Sequence, residues 1–337
     1  MSIVVYRGTV LDVSQAGFDC GGAAFASIFY EQESMYLLYT GAVDVEWSRT
    51  GIGLAESTDG VNFKKLSDVN PILEWSRQYG NPITPVVFCV SGYFYMLFAG
   101  TVEGQRRIYV AKADDIKGPW RYVKELIRPE QWEDKAVDLG PSVAKLTEDQ
   151  VLAYYSTVPW GGRRGSWFGI KYPVRRIGIL RIKVRSPNNI EAHRFEGNPL
   201  KHLNGPKGSW NESVFCPGYF LYGDEHYFLP SASTYSVGFP YRQYIGLAND
   251  SSPYFQNPDW IKLLINGPRD KDQILEGKGE VALDTPCPVI KDGQIYLFYA
   301  AMKRDLETRY GVWKTQLAVF PLLEIQRCNI EAKLSFS

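Results

Sequence analysis

Asp19, Asn81, Asp138, Glu212 and Asp284 each stand at the head of a short apolar run, and they recur roughly every 55 to 75 residues. Four carboxyls and one carboxamide brought to a common point could do acid–base chemistry. Clustered carboxyls push one another's pKa values apart, so one stays protonated while another ionises. General acid–base catalysis needs that division: one carboxyl that gives a proton and a second, ionised one that accepts a proton or stabilises positive charge. Asp19, Asp138, Glu212 and Asp284 are therefore the candidate catalytic groups, with Asn81 a candidate substrate contact. The plainer account has each carboxylate cap a turn or pair with an arginine. It serves for any one acid and strains to cover all four, because unpaired buried charge is costly.

A second set is cationic. Arg49, Arg107, Arg176, Arg242 and Arg309 each precede a short strand of small and branched residues. Guanidinium binds carboxylate and phosphate through two parallel hydrogen bonds, so a ring of arginines would suit an anionic substrate. Ion pairs bracing the fold are the competing explanation. That explanation does not reach Arg163 and Arg164, which lie outside the repeat between Trp160 and Trp167 in a glycine-flanked loop. With Trp47 and Tyr235, these tryptophans supply flat faces that could stack on a sugar or on a hydrophobic ligand. The loop holding Arg163 and Arg164 is expected to fold over the ligand.

The elements that must position these residues repeat with them. In Val281–Ala301 a carboxylate and prolines lead into a short apolar strand, then an Asp-Gly turn, then alternating aromatic and aliphatic residues. Asp-Gly between two such runs signals a hairpin, since its turn requires positive φ. After each hairpin come a polar loop, an arginine, a third strand, and in most copies a turn and an aromatic-ended fourth. Four strands in each of five units predict an all-β fold, a five-bladed β-propeller of four-stranded antiparallel blades. The blades are expected at about 18–70, 71–130, 131–200, 201–265 and 275–320, within one domain over 1–337. Leu317–Phe320 is expected as an outer strand of the fifth unit. Either terminus could supply the strand that joins last blade to first.

Lys+Arg and Asp+Glu are both 37, so no whole-molecule attraction to nucleic acid or membrane is implied. No apolar run approaches the roughly 20 residues of a membrane-spanning helix, and residues 1–7 lack a signal peptide's pattern. A cytoplasmic protein acting on a small molecule or oligosaccharide is expected. The five cysteines have no metal-like spacing and, with only three histidines, no metal site or cofactor is implied. Axial carboxylates could still hold a calcium ion. No Gly-rich phosphate loop or Ser-His-Asp order stands out.

With acids heading its inner strands and the segment Ile52–Phe63 typical of such blades, the chain resembles the furanosidase-like propellers, glycoside hydrolase families 43, 32, 68 and 130. The resemblance spans nearly the whole chain as architecture. It implies that Asp19 is the base or nucleophile and that Asp138 stands at the position of the general acid, where family 43 has Glu. Asn81 stands where the family has the Asp that tunes the acid, and Asp284 could supply that missing charge. The implied function is cleavage or transfer of a glycosyl group, including from an anionic saccharide. The departures at Asn81 and Asp138 leave two alternatives: a sugar- or anion-binding propeller without catalysis, or one recruited to acid–base chemistry such as cyclisation on a non-sugar substrate.

Overall fold

The structure is a computed structural model and describes residues 6–31, 33–133, 135–157, 174–234, 243–266, 282–304 and 311–322. Strand β1 (Tyr6–Leu11) comes first. Blade one is β2 (Gly22–Glu31), β3 (Ser34–Ala42), β4 (Thr50–Ser57) and the two-residue β5 (Lys64–Lys65). Blade two is β6 (Ile83–Val90), β7 (Tyr93–Val102), β8 (Gln105–Ala113) and β9 (Arg121–Ile127). Blade three is β10 (Val137–Lys145), β11 (Gln150–Thr157), β12 (Ile177–Ser186) and β13 (Asn189–Arg194). Blade four is β14 (Ser213–Tyr222), β15 (Glu225–Ser233), β16 (Gln243–Asp250) and β17 (Asp259–Asn266). Blade five is β18 (Ala282–Lys291), β19 (Gln294–Arg304) and β20 (Gly311–Pro321), completed by β1. The five-bladed propeller expected from the repeat is the fold.

One alternative left open by the sequence is decided, and one expectation is corrected. The N-terminal strand β1 closes the ring, pairing antiparallel with β20 from Tyr6↔Val319 to Leu11↔Thr315. Leu317–Phe320 is accordingly not an outer strand but the continuation of β20, the third strand of its blade. Gly22↔Trp313 and Ala23↔Lys314 then pair β2 with β20 in parallel, stitching blade five to blade one.

The local chemistry explains the hairpins. Asp292-Gly293, Ser91-Gly92 and Glu103-Gly104 all have positive φ at both positions, the conformation a two-residue turn between twisted strands demands. Apolar side chains then fill the seams between blades. Leu54 meets Met96 and Tyr109 between blades one and two. Leu97, Tyr155 and Ile182 occupy the next seam, and Tyr154, Phe228 and Phe255 the third. Leu229 with Leu297, and Leu37 with Phe298 and Leu317, complete the circle. Such interleaved cores fix the blades relative to one another, and with them whatever the inner strands carry.

Every inner strand breaks register midway. The shifts fall between Ala24 and Ser27, Ile83 and Val86, Leu139 and Val143, Phe215 and Gly218, and Asp284 and Cys287. In four of them the residue at the break has positive φ: Phe25, Thr84, Cys216 and Thr285. A bulge of this kind bends the strand and re-aims its side chains. It also lets inner strands approach closely, so a Cβ on Gly218 would lie 2.0 Å from the Pro286 carbonyl oxygen.

Candidate active site on the propeller axis

Pairing with the middle strands shows which inner-strand residues are equivalent. Tyr39 and Tyr155 both pack against a glycine of the next strand, Gly53 and Gly178. The residues after them, Thr40 and Ser156, use their hydroxyls alike. Thr40 Oγ1 accepts from the Thr84 N–H at 3.0 Å, and Ser156 Oγ from the Cys216 N–H at 3.3 Å, each latching the bulge of the next blade. Opposite Thr40, Ala99, Ser156, Ser231 and Ala300 lie Ala24, Ile83, Asp138, Phe215 and Asp284. The axial ring therefore holds two acids, Asp138 and Asp284, flanking Phe215 of blade four.

Both are largely shielded from water, and each faces an arginine from another blade. Arg106 Nη1 bonds the two oxygens of Asp138 at 2.9 and 2.7 Å. Arg175 Nη1 lies 3.9 Å from Asp284, and its guanidinium lies 4.3 Å from the centre of the Phe215 ring. The Thr285 N–H donates to Asp284 at 2.7 Å. Burial nonetheless dominates at Asp284 and raises its pKa to about 6; Arg175 and the Thr285 N–H oppose the rise, and the Asp138 charge adds to it. The buried Cys216 thiol sits between these acids, and burial together with both carboxylates pushes its pKa well up. It is thus a poor nucleophile, since the thiolate is the reactive form.

Farther along the axis, Cys287 Sγ lies 3.7 Å from the Pro141 carbonyl of blade three and accepts from the Ile28 N–H of blade one at 3.4 Å. The inner strands meet there, whereas Asp138 and Asp284 lie toward the opposite end, where the strands begin. Blades one and five contribute aromatic surface at that end. Trp47 packs over Gly22 and its ring centre lies 5.1 Å from Phe25, which is 5.1 Å from Trp313. Two acids, two arginines and a wall of aromatic rings are the parts a sugar site uses.

The other expected residues are placed differently. Asp19 is 2% exposed and turned into blade one, accepting from Tyr39 Oη at 2.9 Å and pairing with Lys65 Nζ at 2.6 Å. Asn81 joins two blades, accepting from the Thr50 N–H at 3.2 Å and donating to the Ser48 carbonyl at 3.1 Å. Glu212 precedes β14, accepts from the Gly208 N–H at 3.0 Å and lines a rim cavity with Arg176. Arg107 is buried and braced within its own blade by Glu103 and Glu125, at 3.1 and 3.0 Å. Arg49 is exposed, 3.8 Å from Glu74. Trp160, Arg163, Arg164, Trp167, Tyr235, Arg242 and Arg309 lie outside the described residues.

Sequence reasoning chose Arg107 and Arg176, but their neighbours Arg106 and Arg175 meet the axial acids. The Arg106-Arg107 and Arg175-Arg176 doublets were the available signal, because consecutive side chains in extended chain face opposite ways. Phe25 and Trp313 were also missed. Among the described residues no group of three or more His, Cys, Asp or Glu is placed to hold a metal ion. Asp138 and Asp284 face guanidinium groups, so the geometry offers no support for the axial calcium.

No family model and no curated protein matches the sequence. Solved structures match across most of the chain. A glycosyl hydrolase from Bacteroides ovatus superposes with TM-score 0.58 and 13% identity, over 90% of this chain and 85% of that one. A thermostable family-43 glycoside hydrolase gives 0.55 and 14%, over 88% of each chain. The Cellvibrio cellulosa α-L-arabinanase complexed with arabinohexaose gives 0.52 and 15%, over 88% and 91%. This chain has their fold.

Proposed function

We propose that the protein is a glycoside hydrolase-like enzyme that cleaves or transfers a glycosyl group at the axis, with Asp284 as general acid and Asp138 as the opposing carboxylate. The observation that carries this is the register equivalence of Asp138 and Asp284, combined with the raised pKa of Asp284. A carboxyl titrating near 6 retains its proton long enough to protonate a leaving oxygen near neutral pH. Asp138, ion-paired to Arg106, supplies negative charge toward the oxocarbenium-like centre that forms as the bond breaks. The aromatic faces of Phe25, Trp47 and Trp313 suit the apolar face of a sugar ring. The fold shared with glycoside hydrolases and with the arabinanase supports an oligosaccharide as substrate, and the rim cavity lined by Arg176, Lys201 and Lys207 favours one bearing negative charge.

The test is a panel of neutral and anionic aryl glycosides and oligosaccharides, pentofuranosides included, with the parent chain and Asp284→Asn. The substitution is expected to lower kcat by at least about a hundredfold, the scale of acid–base catalysis, with the variant folded. Turnover undiminished by Asp284→Asn, or no turnover of any substrate, would remove this reading. One observation favours a second: Asp19, which the family resemblance casts as base or nucleophile, is locked by Lys65 and Tyr39. A propeller that binds saccharide without cleaving it would show affinity for the same panel and no products.

A further inference from the structure

At the seam of blades three and four lies a cavity of about 250 Å³ whose lining includes Arg176, Lys201, Lys207, Asn204 and Glu212. We infer that this cavity is an anion subsite that takes a phosphomonoester group. The inference concerns its own residues, and rests on the carbohydrate reading only for the identity of the rest of the ligand.

Its walls are built rather than incidental. Asn204 Nδ2 donates to the carbonyls of Arg175 and Glu212, both at 2.9 Å, tying the 195–212 connection to the chain entering β12. Leu203 is fully buried beside it. The Arg176 N–H donates to Thr157 Oγ1 at 3.0 Å, fixing the backbone from which the guanidinium projects. Arg175 turns to the axial acid Asp284, whereas its neighbour Arg176 lines this cavity.

The charge is what calls for a ligand. Among the described residues three cations share the cavity with one carboxylate, and Glu212 already accepts from the Gly208 N–H at 3.0 Å. None of Arg176, Lys201 and Lys207 forms an ion pair among the described residues, whereas Arg106, Arg107 and Arg194 all do. Like charges lining one cavity repel one another and attract a counter-ion. Formally the described lining carries two excess positive charges, and a phosphomonoester carries about −1.5 to −2 near neutral pH. A guanidinium offers paired donors to two phosphate oxygens, while ammonium groups serve the third as mobile point charges. A neutral sugar would leave that charge uncompensated.

The test is calorimetric titration of the whole chain, at low and high salt, with inorganic phosphate, a hexose 6-phosphate and the neutral hexose. Both phosphates are expected to bind, more weakly as salt rises, and the neutral hexose to leave the site untouched. Lys201→Gln with Lys207→Gln should weaken phosphate binding about tenfold or more, the scale of lost charge-assisted hydrogen bonds, and flatten the salt dependence. Both lysines are exposed, so this variant should fold, and circular dichroism checks it. Adding Arg176→Gln should abolish binding, while Asp284→Asn should leave phosphate affinity unchanged. No phosphate binding by the parent chain, or equal affinity in the variants, would overturn the subsite. A hexose 6-phosphate binding no tighter than phosphate would count against the saccharide reading and leave the phosphate site standing.

Discussion

Arg175 reaches past the ring of Phe215 in blade four to place its guanidinium 3.9 Å from Asp284 in blade five, yet does not hold that carboxyl ionised at low pH. At 3.9 Å, with Phe215 beneath it, the guanidinium offsets only part of the cost of burying a carboxylate. The carboxyl therefore titrates near 6, not near 4 as in an unfolded chain.

That displacement makes stability depend on pH. Between about pH 4 and 6 the folded chain retains a proton the unfolded chain has released, so stability from this group is full below 4 and lost as pH rises through 6. The integrated loss is about 3 kcal/mol. Asp284→Asn mimics the protonated state, and its unfolding free energy should lack this fall. Urea melts of both proteins at several pH values measure it; parallel curves would mean that Asp284 titrates normally.

Arg106 lies closer to its partner, its Nη1 bonding both oxygens of the buried Asp138. Arg106→Gln leaves that carboxylate facing an amide in a poorly solvated place. A loss of about 3 kcal/mol is expected, as for removal of one partner of a buried pair. The double change Arg106→Gln with Asp138→Asn should recover part of it. If the single variant unfolds at the parent's urea midpoint, the pair contributes no stability.

The architecture was legible in the sequence, whereas the site was legible only in part. Asp-Gly turns, alternating strands and the repeat period follow from local chemistry, and they specified five blades. The axial residues depend on register, which the bulges shift. Asp19, Asn81 and Glu212 look like Asp138 and Asp284 in a list of repeats, but they lie in the segments leading into their strands and serve blade packing or the rim. Which member of an arginine doublet faces the axis was undetermined for the same reason, since a shift of one residue reverses every side chain. Closure by β1 was open because both chain ends carry strand-like runs.

Asp19 provides a test that separates scaffold from chemistry. Its carboxylate links Tyr39 on β3 to Lys65 on β5, a middle and the outer strand of one blade. Asp19→Asn should cost about 2 kcal/mol, the worth of charge-assisted hydrogen bonds, while kcat per folded molecule stays within a few-fold of the parent. A hundredfold fall in kcat with unchanged stability would return Asp19 to the catalytic set.

β1 covers the edge of β20, an 11-residue strand, and its Val10 and Leu11 are buried in the seam between blades five and one. Gln316 Nε2 donates to Thr9 Oγ1 and Lys314 Nζ pairs with Asp12, each at 2.8 Å, which fixes the register at that edge. Removing residues 1–12 uncovers a long row of unpaired N–H and C=O groups beside apolar surface, a template for another chain. The truncated protein should therefore melt lower and self-associate, as read by calorimetry and light scattering. A synthetic peptide of residues 1–12 supplied in excess should add back as a strand and suppress both effects. A truncated chain that stays monomeric with the parent's melting temperature would show that blade five is stable without its fourth strand.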